Sequence, residues 1–313
     1  MGLKIAKIDR VKDYKKWVNL FKKAEGATIF HHPLFLAYHQ NRFNEEHLGI
    51  FKGEELIAVI PLAINQNSAK SPYGASYGGF IGIKNFTYSE SKEIVELFLD
   101  YLKAKGVKDI TITPSLGIYY KNYDETLLFA MMEQGFRIVN SDISSIVRLN
   151  KQNLFNAKLR NISKKAQNLG VELKFKVSNV DDFWLLMEKT FAKHKKSPTH
   201  NKEEYKDLMQ KFPNKIYCNI AYLDKEPIAG MGIFEINDRA IMSFYHCSNE
   251  EYKYTQALTF LVVTTILDAK ERGFKYLDFG TSSVNMKANP NIFRFKESFG
   301  AIGLFRHTYA LEL

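Results

Sequence analysis

Two stretches of the chain share one order of apolar and turn-forming positions. Residues 50–64 and 220–236 each show two apolar runs around a short charged turn, which predicts a β-hairpin. A longer segment follows each hairpin and ends at Gly106 or Gly273, directly after a basic residue. A glycine after a basic residue is typical of the C-terminal end of a helix. Each stretch therefore predicts a hairpin that is followed by a helix.

The matching order indicates an internal duplication, because later positions in the two copies also agree. In each copy a second glycine, Gly135 or Gly300, precedes a final predicted strand. We therefore expect an α/β fold with α+β layers, made of two tandem domains at residues 1–150 and 151–313 that superpose on each other.

A different pattern joins the two copies. Between residues 154 and 170, apolar side chains recur at intervals of three or four positions, which predicts an amphipathic helix with one apolar stripe. Basic residues cover the other faces of this helix, and Arg160 and Lys164 are among them. Such residues can clamp a phosphate group, and a solvated helix surface explains them equally well.

The composition of the chain suggests the charge of its substrate and argues against a membrane-spanning or secreted protein. The chain has 313 residues, and its 44 Lys and Arg against 34 Asp and Glu give a formal net charge of +10. Most of the excess lies in residues 151–313, which suits an anionic substrate such as a nucleotide-linked sugar, coenzyme A or RNA, although solubility alone explains it equally well. The apolar runs are too short to span a membrane, and the N-terminus lacks the apolar core of a secretion signal. We therefore expect a cytoplasmic protein with no transmembrane segment.

The common catalytic and metal-binding signatures are missing. The sequence contains no Walker loop, no Rossmann glycine fingerprint, no nucleophile elbow and no zinc-protease helix motif. Its eight histidines, His194 and His200 among them, are scattered, and Cys218 and Cys247 fall within apolar strand patterns. We therefore expect no metal site, and we expect both cysteines in the core.

Residues 276–300 carry the most informative motif. A predicted strand ends in Asp-Phe-Gly at positions 278–280, a small polar loop follows, and a short helix then holds Arg-Phe-Lys at positions 294–296. This order resembles the C-terminal signature of the Fem-like branch of the GNAT acyltransferase superfamily. That branch includes the peptidoglycan-bridge aminoacyltransferases and related acetyltransferase-like proteins. The basic segment 159–166 and the aromatic, glycine-rich loop 71–80 also resemble segments of that family.

The resemblance implies two tandem GNAT-like domains with the site in the cleft between them. It also implies an N-acyltransferase that moves an acyl or aminoacyl group to an amine. The expected acceptor is an anionic small molecule or a glycan-linked one, such as a cell-envelope precursor or a nucleotide sugar. One alternative is a tRNA-dependent aminoacyltransferase that acts on a peptidoglycan precursor. Another alternative is a non-catalytic protein that binds RNA or an anionic surface.

The acyl donor stays open between an acyl-CoA and an aminoacyl-tRNA, and no tightly bound cofactor is expected. The family members that use tRNA often carry a long coiled-coil arm, and no heptad run here exceeds the helix at 154–170. Conventional acetyltransferases hold the coenzyme A pyrophosphate with a glycine-containing turn, whereas residues 249–257 contain no glycine. A helix N-terminus can still hold a phosphate, but Glu250 and Glu251 oppose it. We therefore expect weak binding of acetyl-CoA.

Two residues of the motif are the candidates for catalysis. In the resembling enzymes the lysine of the Phe-Lys pair stabilises the oxyanion of the tetrahedral intermediate, and this position is Lys296 here. The alternative for Lys296 is an ion pair with a carboxylate on the helix surface. Asp278 orients or deprotonates the amine in one interpretation, and in the other it caps the turn after the strand.

Further residues are candidates for substrate binding. Arg294 can hold an acceptor phosphate or support the loop, and Phe295 belongs to the same helix. Tyr73 and Tyr77 can line a sugar or acyl cleft with their amphipathic rings, and packing within the first domain is the alternative. Tyr245 and His246 lie on one predicted strand, so one of the two side chains faces the core and the other faces the opposite side. The remaining candidates are the helix residues Arg160 and Lys164.

Overall fold

A computed structural model describes residues 2–39, 42–152, 154–193 and 197–313. The chain divides into two compact units. Unit 1 comprises Met1–Ile143, Val284–Lys287 and Phe305–Leu313. Unit 2 comprises Ser144–Ser283 and Ala288–Leu304.

The first part of the chain alternates strands and helices. Its strands are β1 (Leu3–Lys7), β2 (Leu48–Lys52), β3 (Glu55–Ile60), β4 (Ala63–Asn65), β5 (Ser68–Ser71), β6 (Ile81–Gly82), β7 (Asp109–Ile112) and β8 (Arg137–Arg148). Its α-helices are α1 (Tyr14–Lys23), α2 (Pro33–Leu36), α3 (Tyr88–Ala104) and α4 (Thr126–Glu133). Short 3-10 helices lie at Ile29–His31, Ala37–His39 and Gly117–Tyr119.

The second part repeats this alternation. Its strands are β9 (Glu172–Val177), β10 (Ile216–Leu223), β11 (Glu226–Glu235), β12 (Ala240–Ser248), β13 (Tyr276–Thr281), β14 (Ser283–Val284), β15 (Lys287–Ala288) and β16 (Ile302–Glu312). Its α-helices are α5 (Ala157–Asn168), α6 (Asp181–Lys193), α7 (Lys202–Lys211), α8 (Ala257–Glu271) and α9 (Pro290–Glu297). A 3-10 helix at Glu250–Thr255 precedes α8.

Unit 1 is organised around two groups of strands. Strands β1, β2, β3 and β6 form an antiparallel sheet in that order. Strand β5 pairs with β4 in a hairpin and runs parallel to β7, and residues 309–312 of β16 run antiparallel to β7. Helix α3 begins at a capping box, in which the side chains of Thr87 and Glu90 each accept a backbone N–H of the other residue. Its apolar face then buries Ile94, Val95, Phe98, Leu99 and Leu102 in the core of this unit.

Unit 2 contains the strands that position the motif. Strand β10 pairs antiparallel with β9 and β11, and β11 pairs antiparallel with β12. Strand β13 runs parallel to β12 on one side and antiparallel to residues 144–148 of β8 on the other. Helix α8 is apolar nearly all round and contributes to the core, as its sequence predicts for a buried helix.

Both predicted hairpins are confirmed. In the first copy β2 and β3 pair antiparallel, and Lys52 opposes Glu55 at the turn. In the second copy β10 and β11 do the same, and Leu223 opposes Glu226. The amphipathic helix predicted at 154–170 is also observed as α5, which begins after the N-cap Asn156.

The order of elements supports the duplication. The first copy runs β1, α1, α2, β2, β3, α3, β7, α4 and β8, with β4 to β6 inserted before α3. The second copy runs β9, α6, α7, β10, β11, β12, α8, β13, α9 and β16, with the short β14 and β15 inserted before α9. The superposition of the two copies stays a prediction.

The compact units do not follow the predicted division at residue 150. Residues 144–148 of β8 belong to unit 2, where they pair with β13, whereas residues 305–313 return to unit 1. The last strand of the first copy, β8, therefore ends in unit 2, and the last strand of the second copy, β16, ends in unit 1. Hydrogen bonding to a strand distant in the sequence decides this assignment, and hydrophobic pattern alone does not reveal it. Among the residues that the structure describes, no helix combines the length and the apolar character needed to cross a membrane.

Candidate active site

The carboxyl end of β13 is shaped by a buried carboxylate. Asp278 is fully buried, and its Oδ1 accepts hydrogen bonds from the backbone N–H of Gly280 at 2.6 Å and from the Ser144 hydroxyl at 2.8 Å. A carboxylate that accepts the N–H two residues ahead builds a tight turn. Gly280 has a φ of +71°, a conformation that glycine adopts without strain. The Asp-Phe-Gly motif thus forms this turn, since Asp278 accepts the N–H of Gly280 and Gly280 adopts the positive φ.

The turn presents two backbone carbonyl groups to Lys296. Helix α9 begins at Pro290 after the N-cap Asn289, and Lys296 lies in its last turn. The Lys296 side chain is buried, and its Nζ donates to the carbonyl oxygen of Gly280 at 2.8 Å and to that of Thr281 at 2.7 Å. The lysine is thus held by backbone oxygens and not by a surface carboxylate, which corrects the alternative interpretation of this residue.

Burial and a nearby carboxylate shift the pKa of Lys296 in opposite directions. Removal from water lowers the pKa of the Lys296 ammonium to about 8, while the negative charge of Asp278 opposes this decrease. Most of the Lys296 population is therefore protonated at neutral pH. The buried ammonium can act as a hydrogen-bond donor toward a developing negative charge.

An aromatic wall lies beside the lysine. The ring of half-buried His246 on β12 lies 5.6 Å from that of Phe295, the residue before Lys296, and 5.7 Å from that of Phe279. Burial, and then the charge of Lys296, lower the pKa of His246 to about 3, so this imidazole is neutral. Its Nε2 lies 2.8 Å from the Ser243 hydroxyl.

The two strands around this wall diverge. The ladder between β12 and β13 consists of three residue pairs and ends at Met242 opposite Asp278, although β12 continues to Ser248. Strand β12 also has an irregularity against β11 after Ser243, which leaves Phe244 outside the register. The side chains of His246, Phe279 and Phe295 lie beyond the end of the ladder. A bound group can reach the backbone at such a divergence, because the facing peptide groups are not used by the ladder.

Tyr245 and His246 are separated by the alternation of the strand. Tyr245 is buried among aromatic rings on the side of α6 and α7, and its hydroxyl lies 2.7 Å from Nδ1 of His200. Burial raises the pKa of Tyr245 to about 12. Only His246 of this pair therefore belongs to the surroundings of Lys296, and Tyr245 is a core residue.

The basic candidates face solvent. Arg294 is exposed and its Nη1 lies 3.5 Å from the Asn291 side-chain oxygen. Arg160 is exposed on α5 and donates to the carbonyl oxygen of Phe155 at 2.7 Å, and Lys164 is exposed one turn later. The structure therefore places Arg160 and Lys164 on a solvated helix face, and their role in phosphate binding stays a prediction.

Tyr73 and Tyr77 are buried in unit 1. The Tyr73 hydroxyl lies 3.3 Å from a carboxylate oxygen of Glu45 and 3.3 Å from Nε2 of His47. The Tyr77 ring packs edge-on against Tyr119 with centroids 5.3 Å apart. These contacts are those of packing residues, so the expectation that the two rings line a cleft gains no support within the unit.

Sequence reasoning missed Ser144 and the peptide carbonyls of Gly280 and Thr281. Ser144 lies 134 residues before Asp278, and a serine in a strand carries no pattern that points to such a partner. Backbone carbonyls have no sequence signal at all. The nearest available clue was the Asp-x-Gly spacing, which predicts the turn but not the lysine contact.

Residues 249–257, where conventional acetyltransferases hold the coenzyme A pyrophosphate, form a 3-10 helix and the start of α8. Residues Glu250–Thr255 form a 3-10 helix that Asn249 caps, and Gln256 adopts the left-handed conformation before α8. The N–H of Ala257, at the start of α8, already donates to the Thr255 hydroxyl at 3.2 Å. Glu250 and Glu251 add negative charge at the start of the 3-10 helix that leads into α8. This arrangement opposes a phosphate at the start of α8.

Metal binding has no structural support in the part of the chain described. Those residues contain no group of three or more His, Cys, Asp or Glu side chains placed to hold a metal ion. His194 lies outside the described residues. Both cysteines are buried, and burial raises the pKa of the Cys218 and Cys247 thiols.

Comparison with known proteins agrees with this geometry. Residues 155–296 match the family model of the acetyltransferase (GNAT) domain, a segment that contains the turn at Asp278 and ends at Lys296. No curated protein sequence gives a significant match.

Solved structures share the fold over nearly the whole chain. FemX is 12% identical, with a TM-score of 0.72, and the match covers 99% of this chain and 97% of that one. The C-terminal domain of a protein described as lysylphosphatidylglycerol synthetase, from Agrobacterium fabrum, is 12% identical with a TM-score of 0.64, covering 96% and 92%. A tandem GNAT protein from the clavulanic acid biosynthesis pathway is 10% identical with a TM-score of 0.56, covering 99% and 98%. At these identities the likeness shows the fold alone.

The expected fold and enzyme class are confirmed. The chain has a mixed α/β fold of two GNAT-like domains, and the matched domain is that of an acyltransferase. The resemblance to the GNAT superfamily is supported by the family model, and the fold is shared with FemX.

Proposed function

We propose that this GNAT-type acyltransferase moves an acyl or aminoacyl group onto an amine of a small or glycan-linked acceptor, such as a cell-envelope precursor or a nucleotide sugar. The observation that carries the proposal is the buried ammonium of Lys296, held by the carbonyl oxygens of Gly280 and Thr281. A protein that only binds RNA or an anionic surface has no use for an ammonium withdrawn from water.

The reaction creates the charge that Lys296 is suited to meet. The acceptor nitrogen bonds to the carbonyl carbon of the donor, and the carbonyl oxygen becomes an oxyanion. The oxyanion then re-forms the carbonyl group as the bond to the leaving oxygen or sulfur breaks, and the proton lost by the amine passes to that leaving group. An ammonium has three N–H donors, and within the described residues Lys296 gives two of them to carbonyl oxygens. The third can donate to the oxyanion. A donor placed in this way stabilises the transition state by about 3 to 4 kcal/mol.

Asp278 and His246 support this site without acting as bases. Asp278 is occupied by the turn, accepting from Gly280 and Ser144, and its charge favours the protonated form of Lys296. His246 has a pKa of about 3, so it is too weak a base to take a proton from an amine near neutral pH. Its ring instead shields the lysine from water together with Phe295 and Phe279.

The leading donor within this proposal is an aminoacyl ester, such as an aminoacyl-tRNA. The first N–H of α8, that of Ala257, already donates to the Thr255 hydroxyl, and the 3-10 helix that leads into α8 begins with Glu250 and Glu251; both features disfavour the pyrophosphate of coenzyme A. Two of the similar folds, FemX and the lysylphosphatidylglycerol synthetase domain, are consistent with aminoacyl transfer to a cell-envelope substrate.

A direct assay tests the proposal. The purified full chain is incubated with charged tRNA or with acetyl-CoA, each with an amine acceptor from a panel of nucleotide-linked amino sugars and peptides, and the products are identified by mass spectrometry. We expect an amide product that forms with the native chain and with the exposed-lysine control Lys275→Ala, but at least 100-fold more slowly with Lys296→Met. Equal product formation by Lys296→Met would show that the site lies elsewhere.

A further inference from the structure

A cavity of about 330 Å³ in unit 2 takes no part in the site described above. It lies between the C-terminal end of α6 and the segment that leaves β12. The lining residues are Lys189, Thr190, Lys193, Ser248, Asn249, Glu250 and Glu251.

The two walls of this cavity carry opposite charges. Lys189 and Lys193 are four residues apart on α6, so their ammonium groups project from the same face of the helix. Glu250 and Glu251 stand on the other wall, at the start of the 3-10 helix. The cavity therefore offers two cations on one side and two carboxylates on the other.

Hydrogen bonds hold the walls in place. The Thr190 hydroxyl accepts from the backbone N–H of Ser248 at 3.1 Å, which ties α6 to the end of β12. Asn249 is buried, with 8% of its surface exposed, and its side chain lies 3.2 Å from the N–H and 3.4 Å from the carboxylate of Glu251. The Glu251 carboxylate is therefore oriented before any ligand arrives.

An ion pair spans the cavity. Lys193 Nζ lies 2.9 Å from Oε1 of Glu250, and Lys253 lies 4.0 Å from the same carboxylate. Both Lys193 and Glu250 are about half exposed, and an exposed pair of this kind contributes little to stability. A ligand with one carboxylate and one ammonium can replace this ion pair. The ligand carboxylate then pairs with Lys193, and the ligand ammonium pairs with Glu250.

We propose that this cavity binds a free α-amino acid or a dipeptide as the whole zwitterion, with the ligand carboxylate on Lys189 and Lys193 and the ligand ammonium on Glu250 and Glu251. The inference goes beyond the proposed function, because it assigns a second ligand site in unit 2.

The test measures binding without turnover. L-Alanine and L-alanyl-L-alanine are titrated into the full chain, and binding is followed by changes in the NMR chemical shifts of the protein. Propionate and ethylamine serve as probes that carry only one of the two charges. We expect the two zwitterions to bind at least 10-fold more tightly than either single-charge probe. Lys193→Ala and Glu251→Gln should each weaken zwitterion binding at least 10-fold, whereas the exposed-lysine control Lys215→Ala should leave it unchanged.

Several outcomes would overturn the inference. Propionate that binds as tightly as L-alanine would show a plain anion site, and no saturable shift with either zwitterion would show no site. Unchanged binding in both variants, at melting temperatures close to that of the native chain, would place the ligand elsewhere. Because Lys296→Met should keep the binding while losing turnover, failure of this inference and failure of the proposed function give different results.

Discussion

The Lys296 ammonium donates to the carbonyl oxygen of Gly280 across 16 positions of the chain, at 2.8 Å. The N–H of the same Gly280 donates to the Asp278 carboxylate at 2.6 Å. One glycine therefore connects the buried acid to the buried base. The carboxylate fixes the turn, the turn aims its carbonyl oxygens, and those oxygens hold the lysine.

The first prediction concerns the charge of Lys296. Lys296→Met keeps most of the buried volume and removes the ammonium, so it should lower kcat about 100- to 1000-fold while changing KM little, because the interaction forms mainly in the transition state. Lys296→Arg should restore little activity, since a planar guanidinium does not reproduce the geometry of a compact ammonium. Steady-state kinetics of the three proteins provides the measurement, with Lys275→Ala as the control. A parallel rise in KM with unchanged kcat would assign Lys296 to ground-state binding.

The second prediction concerns the dependence of activity on pH. The protonated form of Lys296 is the active form, and burial lowers its pKa to about 8, so kcat/KM should fall as the pH rises through about 8. Asp278→Asn removes the charge that favours the ammonium while its amide oxygen can still accept the N–H of Gly280. This variant should therefore move the descending limb to lower pH. The surface variant Asp207→Asn should not move it, and a native limb near pH 10 would contradict the role of the buried lysine.

The third prediction concerns the backbone of Gly280. A side chain is strained at a φ of +71°, although a Cβ there meets no atom within 4 Å, so Gly280→Ala should lower the free energy of unfolding by about 1 to 2 kcal/mol. Gly273→Ala meets the same strain at a φ of +86° with equally open space, and it lies at the end of α8, away from the lysine contact. Denaturant melts should show similar losses for both variants, whereas only Gly280→Ala should reduce turnover. Equal turnover in the two variants would mean that the Gly280 carbonyl does not position Lys296.

The fourth prediction concerns the donor. Because the N–H of Ala257 already has a partner and the 3-10 helix that leads into α8 begins with Glu250 and Glu251, acetyl-CoA should bind weakly or not at all. Isothermal titration calorimetry on the full chain measures this affinity. A dissociation constant in the low-micromolar range would instead favour an ordinary acetyltransferase.

The fifth prediction concerns stability in acid. Burial lowers the pKa of His31 and of His39 to about 4, against 6.5 for an unperturbed histidine. Between pH 6.5 and 4 the unfolded chain binds more protons than the folded one, so their contribution to stability is complete above pH 6.5 and is lost as the pH falls. The slope per histidine approaches about 1.4 kcal/mol for each pH unit. His39→Gln should flatten the acid side of a plot of unfolding free energy against pH, and an unchanged slope would show that His39 is protonated in the folded chain.

Local patterns in the sequence were sufficient for the elements and for the motif. Alternating apolar runs around charged turns identified the hairpins β2–β3 and β10–β11, because strand periodicity is a property of neighbouring residues. The order of Asp-Phe-Gly and Phe-Lys around a polar loop singled out Asp278 and Lys296 through its resemblance to a family signature. These features depend on residues within about twenty positions of each other.

Only the tertiary structure showed which of the candidate site residues contact each other. Ser144 reaches Asp278 from a strand 134 residues earlier, and strand alternation sends His246 toward Phe295 while Tyr245 enters the aromatic core. Packing also decided between the two interpretations of Lys296, because it places the ammonium on the carbonyl oxygens of Gly280 and Thr281 and not on a carboxylate of the helix surface. The physical reason is that a hydrogen bond or a buried contact depends on distance in space, and many different chain paths are compatible with the same local pattern of apolar and polar positions.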